Sequence, residues 1–455
     1  MFSKSTYVER RNKLKKSVGS GLLLFLGNDE QGLNYADNGT RFRQDSTFLY
    51  FFGIQQDSIA AIIDIDNDRE IVFGDELSID AIVWMGRQET LKHKCERCGI
   101  TDVRPYAELK KYLDNAKSQS IHYLPTYRAE HKVKLLQLLG IGIGQETPSV
   151  EFIKGVVNQR NYKSKEEIEQ IRIACDITAD MHIAAIKALR PGMRESEIAA
   201  VIEEVALKNN ANLSFPTIAT KNGQTLHNHY HGNIVKSGDL FLIDAGAETE
   251  MGYAGDMSST FPADKKFTDI QRTIYTIQNR MHTEAVKALR PGIRFEDVYN
   301  LSAKVMCEDL KALNLMKGDA EEAVKAGAHA MFFPCGLGHM MGLDVHDMEN
   351  LGEVWVGYNG KPKSTQFGRK SLRLARELEP GFVLTVEPGI YFIPELIDKW
   401  RAEHQFEEFI NYSELEKFKG FGGIRNEEDF LITETGYELL GKKTPLTADE
   451  VEALR

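Results

Sequence analysis

The sequence predicts a small α/β domain at the N-terminus, followed by a larger α+β domain that is built from two related halves. The length of 455 residues exceeds that of one ordinary domain. Apolar, β-rich runs alternate with helix-like stretches up to about residue 155. Two similar segments 100 residues apart then indicate an internal duplication. We expect the domains at 1–155 and 160–455.

The N-terminal domain is predicted from short runs of strand-forming residues with helical stretches between or after them. The expected strands are GLLLFLG (21–27), STFLYFFGI (46–54), SIAAIIDI (58–65) and REIVFG (69–74), and the expected helices are ELKKYLDNAK (108–117) and EHKVKLLQLL (130–139). The segment 148–163 is expected to be a linker. Ser164 followed by Glu167 is a capping-box pattern and predicts that a new helix begins there.

The duplication is seen in MHIAAIKALRPGMRESEI (181–198) and MHTEAVKALRPGIRFEDV (281–298), which match at ten of 18 positions. Both copies are expected to end a helix at Arg-Pro-Gly, because proline cannot continue a helix and glycine permits the turn. Thr268 and Gln271 form a second capping-box pattern. Chance similarity of two amphipathic helices is the alternative, but the shared Met-His and Leu-Arg-Pro-Gly favour duplication.

Composition limits the class of protein. The chain is 42% hydrophobic and 27% charged, as expected for a globular protein, and no apolar run approaches the length of a membrane span. The first residues lack the apolar stretch of a secretory signal, so we expect a cytoplasmic location. A net charge of −11 argues against nucleic-acid or anionic-membrane partners.

The five cysteines favour free thiols over a disulfide framework. Cys95 and Cys98, with His93 nearby, are a weak signal for a zinc or redox site. The favoured interpretation is two ordinary thiols in a loop.

Five residues in strand-like or turn-like segments carry the strongest chemical signal. They lie in LFLIDAGAE, GYAGDMSSTFP, GLGHMMGLDVHD, LTVEPGIYF and GFGGIRNEEDF, and are Asp244, Asp256, His339, Glu387 and Glu427. Four carboxylates and an imidazole are suited to two neighbouring divalent ions, and this oxygen-rich set favours Mn²⁺ over metals that prefer soft ligands, with Co²⁺ and Zn²⁺ as alternatives. Convergence of the five predicts a hydrolase that activates water with metal ions.

The first two carboxylates are expected to face each other across a hairpin centred near Glu250, where like charges would be destabilising without a cation. Two unrelated aspartates in a solvated turn is the alternative. Arg425, Glu427 and Asp429 are expected on one face of an alternating strand, with Glu428 on the other. This alternation favours Glu427 over Glu428 as the ligand.

Several histidines are candidates for functions beyond metal binding. His339 and His346 share a glycine-rich segment, where backbone can approach a site closely. LHNHYHG places His227, His229 and His231 on one face if the segment is a strand. A separate metal site is one interpretation; a proton donor or substrate contact is the favoured one.

Together these motifs resemble the pita-bread metallopeptidases that cleave before proline, namely the Xaa-Pro dipeptidases (prolidases) and aminopeptidases P. The resemblance covers essentially the whole chain and includes RFRQDSTFLYFFGI and WMGR in the N-terminal domain. It implies a pseudo-two-fold pita-bread (creatinase/aminopeptidase-like) catalytic domain. It also implies that the five residues are ligands of two ions, with Asp244 and Glu427 bridging. His227, His346 and the ligand Glu387 would act in catalysis, and Arg425, Tyr391 and Ser258 would support the ligands.

The subfamily is less clear from the motifs. The 40-residue separation of Glu387 and Glu427, and SLRLAREL (371–378), are similar to prolidases, in which the arginine matching Arg373 reads the carboxylate of a dipeptide. GYAGD is closer to aminopeptidase P. We favour the dipeptidase. Three departures from the family pattern are Cys335 where a substrate-holding histidine is usual, Asn426 where the residue is usually apolar, and Asn228, which leaves His229 competing with His227.

The implied reaction is hydrolysis of the Xaa-Pro bond in dipeptides or short peptides by a homodimer. The alternatives are an aminopeptidase P acting on longer peptides and, from another class, a catalytically weak binding protein with the same fold. Retention of all five candidate ligands disfavours the binding protein and a metal-free relative such as creatinase.

Overall fold

The computed structural model describes residues 1–455, which divide into two compact units. The smaller unit comprises Met1–Arg160 together with Met348–Trp355, and the larger unit comprises Asn161–Asp347 and Val356–Arg455. No helix has the length and apolar character that crossing a bilayer requires.

The smaller unit is built on one mixed sheet whose strand order is β4-β3-β2-β1-β5. The inner strands pair antiparallel, whereas β4 and β5 pair parallel at the two edges. Its strands are β1 Leu22–Leu26, β2 Ala60–Asp64, β3 Arg69–Phe73, β4 Asp102–Arg104 and β5 Ile121–His122. Its helices are α1 Lys4–Val18, α2 Ser46–Phe52, α3 Ile79–Met85, α4 Leu91–Cys98, α5 Glu108–Asn115, α6 Ala129–Leu139 and α7 Val150–Arg160.

One prediction for this region is wrong and a second is correct only in part. The run 46–54 was expected to be a strand, but Ser46–Phe52 is helical because Asp45 caps its N-terminus and Gly53, at φ 67°, ends it. All seven residues of this helix are buried, so packing outweighs the strand preference of its aromatic side chains. The expected linker 148–163 contains the boundary between the two units, which falls after Arg160, but most of the segment is helix α7, whose apolar residues Phe152 and Val156 are buried in the smaller unit.

The larger unit contains two copies of a helix pair followed by a three-stranded antiparallel sheet. The first copy has α8 Lys165–Ala188, α9 Glu195–Lys208, β7 Ile218–Thr220, β8 Leu240–Ala245 and β10 Met257–Pro262, with the short strands β6 Asn212–Leu213 and β9 Ala247–Glu248. The second has α10 Asp269–Ala288, α11 Phe295–Ala312, β11 Val383–Val386, β14 Glu428–Ile432 and β15 Tyr437–Leu439. The sheet orders are β10-β8-β7 and β11-β14-β15.

The remaining elements are short and lie mostly in the second copy. They are α12 Ala320–Ala326, α13 Glu353–Val356, β12 Gly389–Tyr391, α14 Pro394–Ala402, α15 Tyr412–Leu415, β13 Gly423–Arg425 and α16 Ala448–Leu454, with 3₁₀ turns at Ala328–Met331, Glu349–Leu351, Arg369–Ser371 and Glu416–Phe418. Strands β12 and β13 pair with each other, as do β6 and β9.

The duplication predicted from the sequence is confirmed. Helices α8 and α10 end one residue before the two Leu-Arg-Pro-Gly segments, and Gly192 and Gly292 adopt φ of 97° and 84°. Both predicted capping boxes form, at Ser164–Glu167 and Thr268–Gln271. The repeated sequence therefore begins two equivalent helix pairs, and each pair is followed by a sheet that carries candidate ligands.

Candidate metal centre

The five candidate ligands line one cavity of about 200 Å³ in the larger unit. They reach it from β8, from loops next to β10, β11 and β14, and from the glycine-rich loop at His339. Residues from both copies of the repeat therefore converge on a single site. The cavity is lined by Phe215, Pro216, Ile218, Leu226, His227, His229, Asp244, Asp256, Cys335, Gly336, Gly338, His339, Val345, His346, Ser371, Arg373, Glu387, Arg425 and Glu427.

The two aspartates are joined by a hairpin whose register differs from the prediction. Asp244 on β8 pairs with Ser258 on β10, and not with Asp256, which lies two residues earlier. The prediction erred by two residues because the turn includes the short strand β9. A shift of two positions keeps side chains on the same face of a sheet. Asp256 therefore remains on the side of Asp244 that faces the cavity.

His339 is oriented as a metal ligand would be. Its Nδ1 lies 3.1 Å from the carbonyl oxygen of Met340. The carbonyl oxygen can only accept, so this hydrogen bond forms when Nδ1 carries the proton. That tautomer leaves the lone pair of Nε2 directed into the cavity, where Asp256 Oδ2 lies 3.3 Å away and Glu387 Oε1 3.6 Å away. Hydrogen bonding of the second ring nitrogen is the usual way in which proteins fix a ligating histidine.

The two glutamates flank the second sheet. Glu387 directly follows β11 and Glu427 directly precedes β14. The expected continuous strand through Arg425, Glu427 and Asp429 is interrupted, because β13 ends at Arg425 and pairs with β12, whereas β14 pairs with β11. Glu427 lines the cavity, whereas Glu428 lies 3.7 Å from the buried ring of His282.

The donor set fits divalent cations. Atoms of Asp256, His339 and Glu427 lie within 4.8 Å of one another. Because metal–oxygen and metal–nitrogen bonds are about 2.0–2.2 Å long, such atoms surround a space the size of one ion. Asp244 Oδ1 and Glu427 Oε1 are buried without hydrogen-bond partners, which is costly for carboxylates unless a cation is bound.

Burial and mutual repulsion of these carboxylates perturb their protonation. Burial, followed by the Asp244 charge, holds the pKa of Asp256 well above its usual range. Burial and then the Asp256 charge do the same to the pKa of Glu427. Burial raises the pKa of Glu387 to about 7. Ionising all of these buried carboxylates together costs free energy because they repel one another, and bound cations would offset that cost.

Arg425 is the fixed cation at the edge of this cluster. Its three guanidinium nitrogens donate hydrogen bonds to Asp244 Oδ2 at 2.6 Å, to Ser258 Oγ at 2.8 Å and to Tyr391 OH at 2.8 Å. Ser258 in turn donates to Glu427 Oε2 at 2.8 Å. Arg425 thus connects a carboxylate of the first copy with one of the second, and Ser258 and Tyr391 hold its side chain in place.

The histidine-rich segment is not a strand. Residues 227–231 form turns and irregular backbone, so alternation along a strand does not order their side chains. His227 and His229 line the cavity, whereas His231 does not. Burial lowers the pKa of His227. His346 also lines the cavity, with its ring 4.3 Å from that of His339.

Arg373 and Cys335 line the same cavity as the candidate ligands. Cys335 Sγ lies 3.9 Å from Tyr391 OH, and burial raises the pKa of its thiol to about 12. The thiol is therefore neutral near pH 7. It offers at most a weak hydrogen bond where the family usually has an imidazole.

Sequence reasoning missed part of the cavity wall. An apolar side is formed by Phe215, Pro216, Ile218, Leu226 and Val345. Phe215 and Pro216 lie in the segment before β7, where no charge pattern marks a site. Only their proximity in sequence to the histidine-rich segment could have indicated them.

Two cysteines in the smaller unit have another environment. The expected loop at Cys95 and Cys98 is wrong: both thiols are buried on α4. The neighbouring His93 is instead paired with Glu89 at 2.8 Å.

Two family models match the chain. Metallopeptidase family M24 matches residues 169–434, and the aminopeptidase P N-terminal domain matches residues 7–123. The pita-bread fold of the larger unit and its buried carboxylate–histidine site define a metallopeptidase, an enzyme that uses divalent metal ions. The chain belongs to metallopeptidase family M24.

Relatives include both kinds of enzyme that the motifs resemble. A human Xaa-Pro dipeptidase is 31% identical over 453 residues, which cover 97% of this chain and 90% of the human protein. A Xaa-Pro aminopeptidase of Escherichia coli is 32% identical over 469 residues, covering 99% of this chain and 98% of that protein. A structure of E. coli aminopeptidase P in complex with substrate superposes with a TM-score of 0.82 at 31% identity, covering 100% and 98% of the two chains.

Proposed function

We propose that the chain is a Xaa-Pro dipeptidase, which hydrolyses the bond before proline in dipeptides. The observation that carries this proposal is that Arg373 lines the same cavity as the five candidate ligands. A guanidinium pairs strongly with a carboxylate, often through two parallel hydrogen bonds. Placed beyond the reacting bond, Arg373 would select a substrate that ends in a carboxylate directly after proline.

The ligands of this proposal are Asp244, Asp256, His339, Glu387 and Glu427, holding two ions. Bound divalent ions supply Lewis acidity and lower the pKa of bound water, so that hydroxide is available near neutral pH. The paired ring nitrogen of His339 keeps Nε2 directed into the cavity. Arg425 and Ser258 hold Asp244 and Glu427 in a fixed orientation, which reduces reorganisation during the reaction.

Other residues of the cavity would contact the substrate. His346 and His227 line the cavity, and we expect them to donate a hydrogen bond to the oxyanion that develops on the scissile carbonyl. We expect Glu387, which lines the cavity, to accept a proton from the attacking water and pass it to the proline nitrogen. The apolar side of the cavity offers a surface for a proline ring.

An aminopeptidase P that acts on longer peptides is the second candidate. The structural similarity to E. coli aminopeptidase P favours it, and so does the GYAGD motif. A structure of that enzyme with the inhibitor Pro-Leu superposes with a TM-score of 0.81. For this chain Mn²⁺ as the native ion, a homodimer and a cytoplasmic location stay predictions. A catalytically weak binding protein would bind peptides and leave them intact.

Cleavage of Ala-Pro and of Ala-Pro-Ala by the Mn²⁺-loaded protein distinguishes these candidates. We expect the wild type to prefer Ala-Pro. In Arg373→Ala we expect kcat/KM for Ala-Pro to fall about 10-fold to 100-fold, mainly through KM, because a hydrogen bond to a charged group contributes roughly 1.5–3 kcal/mol. The tripeptide should be affected less. Initial rates over a range of substrate concentrations give both parameters.

Arg376→Ala is the matched control for this experiment. Arg376 lies three residues further along, outside the cavity, and pairs with Glu379 at 2.7 Å. Its loss should leave the dipeptide preference unchanged. A wild type that prefers the tripeptide, with no loss in Arg373→Ala, would support the aminopeptidase instead. Failure to cleave either peptide would overturn both assignments.

A further inference from the structure

Asn426 lies between two residues of the site, Arg425 and Glu427, and its amide is buried. Its Oδ1 accepts a hydrogen bond from the backbone N–H of Thr260 on β10 at 3.0 Å. Its Nδ2 donates to Gln278 Oε1 on α10 at 2.5 Å. The Asn426 side chain therefore connects its own segment, between Arg425 and Glu427, to strand β10 and to helix α10.

Gln278 continues this chain of hydrogen bonds to the other candidate glutamate. Its Nε2 donates to the carbonyl oxygen of Pro388 at 2.7 Å, and more weakly to that of Asn426 at 3.4 Å. Pro388 directly follows Glu387, and Asn426 directly precedes Glu427. One fully buried side chain thus bonds to the backbone beside both glutamates.

The direction of every bond in this chain is fixed by the backbone at its two ends. The Thr260 N–H can only donate, so the Asn426 atom that meets it must be the oxygen. The carbonyl of Pro388 can only accept, so the Gln278 atom that meets it must be the nitrogen. The remaining Nδ2 and Oε1 then face each other as donor and acceptor. Neither amide can rotate by 180° without losing hydrogen bonds in a buried site.

We propose that Asn426 and Gln278 are positioning residues that hold Glu387 and Glu427 at the spacing needed to bind two metal ions. This inference rests on the proposed ligand set. Residues that orient metal ligands without touching the metal typically contribute 10-fold to 100-fold to metal affinity. The pair joins β10, which follows Asp256, to the segments of both glutamates, so it fixes carboxylates from the two copies of the repeat relative to one another.

The equivalent helix position in the first copy makes a related contact. Thr178, 100 residues before Gln278, accepts a hydrogen bond from the backbone N–H of Ala247 at 2.9 Å. Ala247 follows the strand that carries Asp244. In both copies this position of the helix therefore bonds to the backbone close after a candidate ligand. In the second copy the longer glutamine reaches a second ligand segment as well.

Mn²⁺ titration of the metal-free protein by isothermal calorimetry tests the proposal in wild type, Gln278→Met and Asn426→Leu. Methionine is a good helix former, and Gln278→Met keeps the bond between Asn426 and Thr260, so this variant should retain the fold. Asn28→Leu is the matched control: Asn28 and Asn426 are each 2% exposed, but Asn28 lies in the smaller unit. Thermal unfolding of each variant is followed in parallel.

We expect two ions per wild-type chain, and an affinity for the weaker ion that falls about 10-fold to 100-fold in Gln278→Met and at least as far in Asn426→Leu. Saturating Mn²⁺ should restore most of kcat in Gln278→Met. Asn28→Leu should lower the unfolding temperature and leave both affinities within twofold of wild type. If Gln278→Met binds both ions with wild-type affinity, the positioning role is wrong but the proposed function stands. If the wild type binds fewer than two ions, both the positioning role and the proposed function are wrong.

Discussion

The two copies of the repeat in the larger unit hold their ligand-bearing strands from the same helix positions, with different chemistry. In the first copy Thr178 bonds to Ala247 N–H at 2.9 Å, and His182 bonds to Ser259 Oγ at 2.9 Å and to the carbonyl oxygen of Ala245 at 3.0 Å. Burial lowers the pKa of His182 to about 4, so this ring is neutral and acts through its hydrogen bonds.

In the second copy His282 occupies the position of His182, and burial also lowers its pKa to about 4. Its Nε2 lies 3.7 Å from Glu428 Oε2, and neither ring nitrogen has a hydrogen-bond partner. Gln278 occupies the position of Thr178 and bonds to the carbonyl oxygen of Pro388 at 2.7 Å, so in this copy only that position makes a hydrogen bond to the backbone beside a ligand. Duplication has thus preserved the helix frame, whereas the contacts between helix and sheet have diverged.

The two copies also differ in whether a candidate ligand is paired with a positively charged side chain. Asp244 of the first copy is paired with Arg425 at 2.6 Å. Glu427 of the second copy accepts only from the neutral hydroxyl of Ser258 at 2.8 Å. The second carboxylate oxygen of each residue, Asp244 Oδ1 and Glu427 Oε1, is buried without a partner, so the two differ in whether the first oxygen meets a cation. Glu427 therefore depends more strongly on bound cations than Asp244 does.

Removing one carboxylate from each copy tests this difference and should give the largest effects. We expect Asp244→Asn and Glu427→Gln each to reduce Mn²⁺-dependent peptide cleavage by more than about 100-fold, because residues that only orient ligands already contribute 10-fold to 100-fold. In the presence of a chelator their unfolding temperatures should diverge. Glu427→Gln should be more stable than wild type, because it removes a buried acid whose pKa is strongly raised.

Asp244→Asn should instead be less stable than wild type under the same conditions. It leaves the buried guanidinium of Arg425 without its carboxylate, and breaking a buried ion pair from one side is strongly destabilising. Calorimetric unfolding temperatures of both variants provide the comparison. Shifts in the same direction would contradict the proposed difference in charge balance.

The pH dependence of stability gives a smaller and more specific effect in the second copy. Glu387 has a pKa of about 7 in the folded protein against 4.5 as its ordinary value, so the folded state binds more protons between these pH values. Its contribution to the free energy of unfolding therefore falls as pH rises from about 4.5 to 7, by about 1.4 kcal/mol for each unit of pKa difference.

Denaturant unfolding with chelator at pH 5, 6, 7 and 8 measures this contribution as the difference between Glu387→Gln and wild type. The variant cannot ionise, so its stability relative to wild type should increase with pH and level off above pH 7. A difference that stays constant, or that decreases with pH, would show that Glu387 is not held protonated by its burial.

The candidate ligands could be predicted because each is a charged or polar residue within a short, largely apolar motif. Burying such a residue is unfavourable unless it binds a cation or another partner. Their convergence followed from the duplication, which placed carboxylates in both halves. The hairpin register was missed by two residues because the short strand β9 within the turn has no clear pattern, and the error was harmless because the face was preserved.

Other features depended on tertiary contacts that local patterns do not record. The aromatic run at Ser46–Phe52 has strand preference, but capping by Asp45 and burial of every side chain make it a helix. Asn426 looked like an unexplained departure from an apolar pattern. Its partner Gln278, at 2.5 Å, lies 148 residues away in the sequence, so no local pattern predicts the contact.

Release of proline from Ala-Pro, followed while Mn²⁺ is added to the metal-free protein, is the sharpest test of a paired metal site that cleaves the Xaa-Pro bond. We expect no proline without metal, and a rate that rises until two ions per chain are bound and then levels off. Full activity with one ion would contradict the paired site. Absence of proline release at every Mn²⁺ concentration would contradict the assignment as a metal-dependent Xaa-Pro dipeptidase.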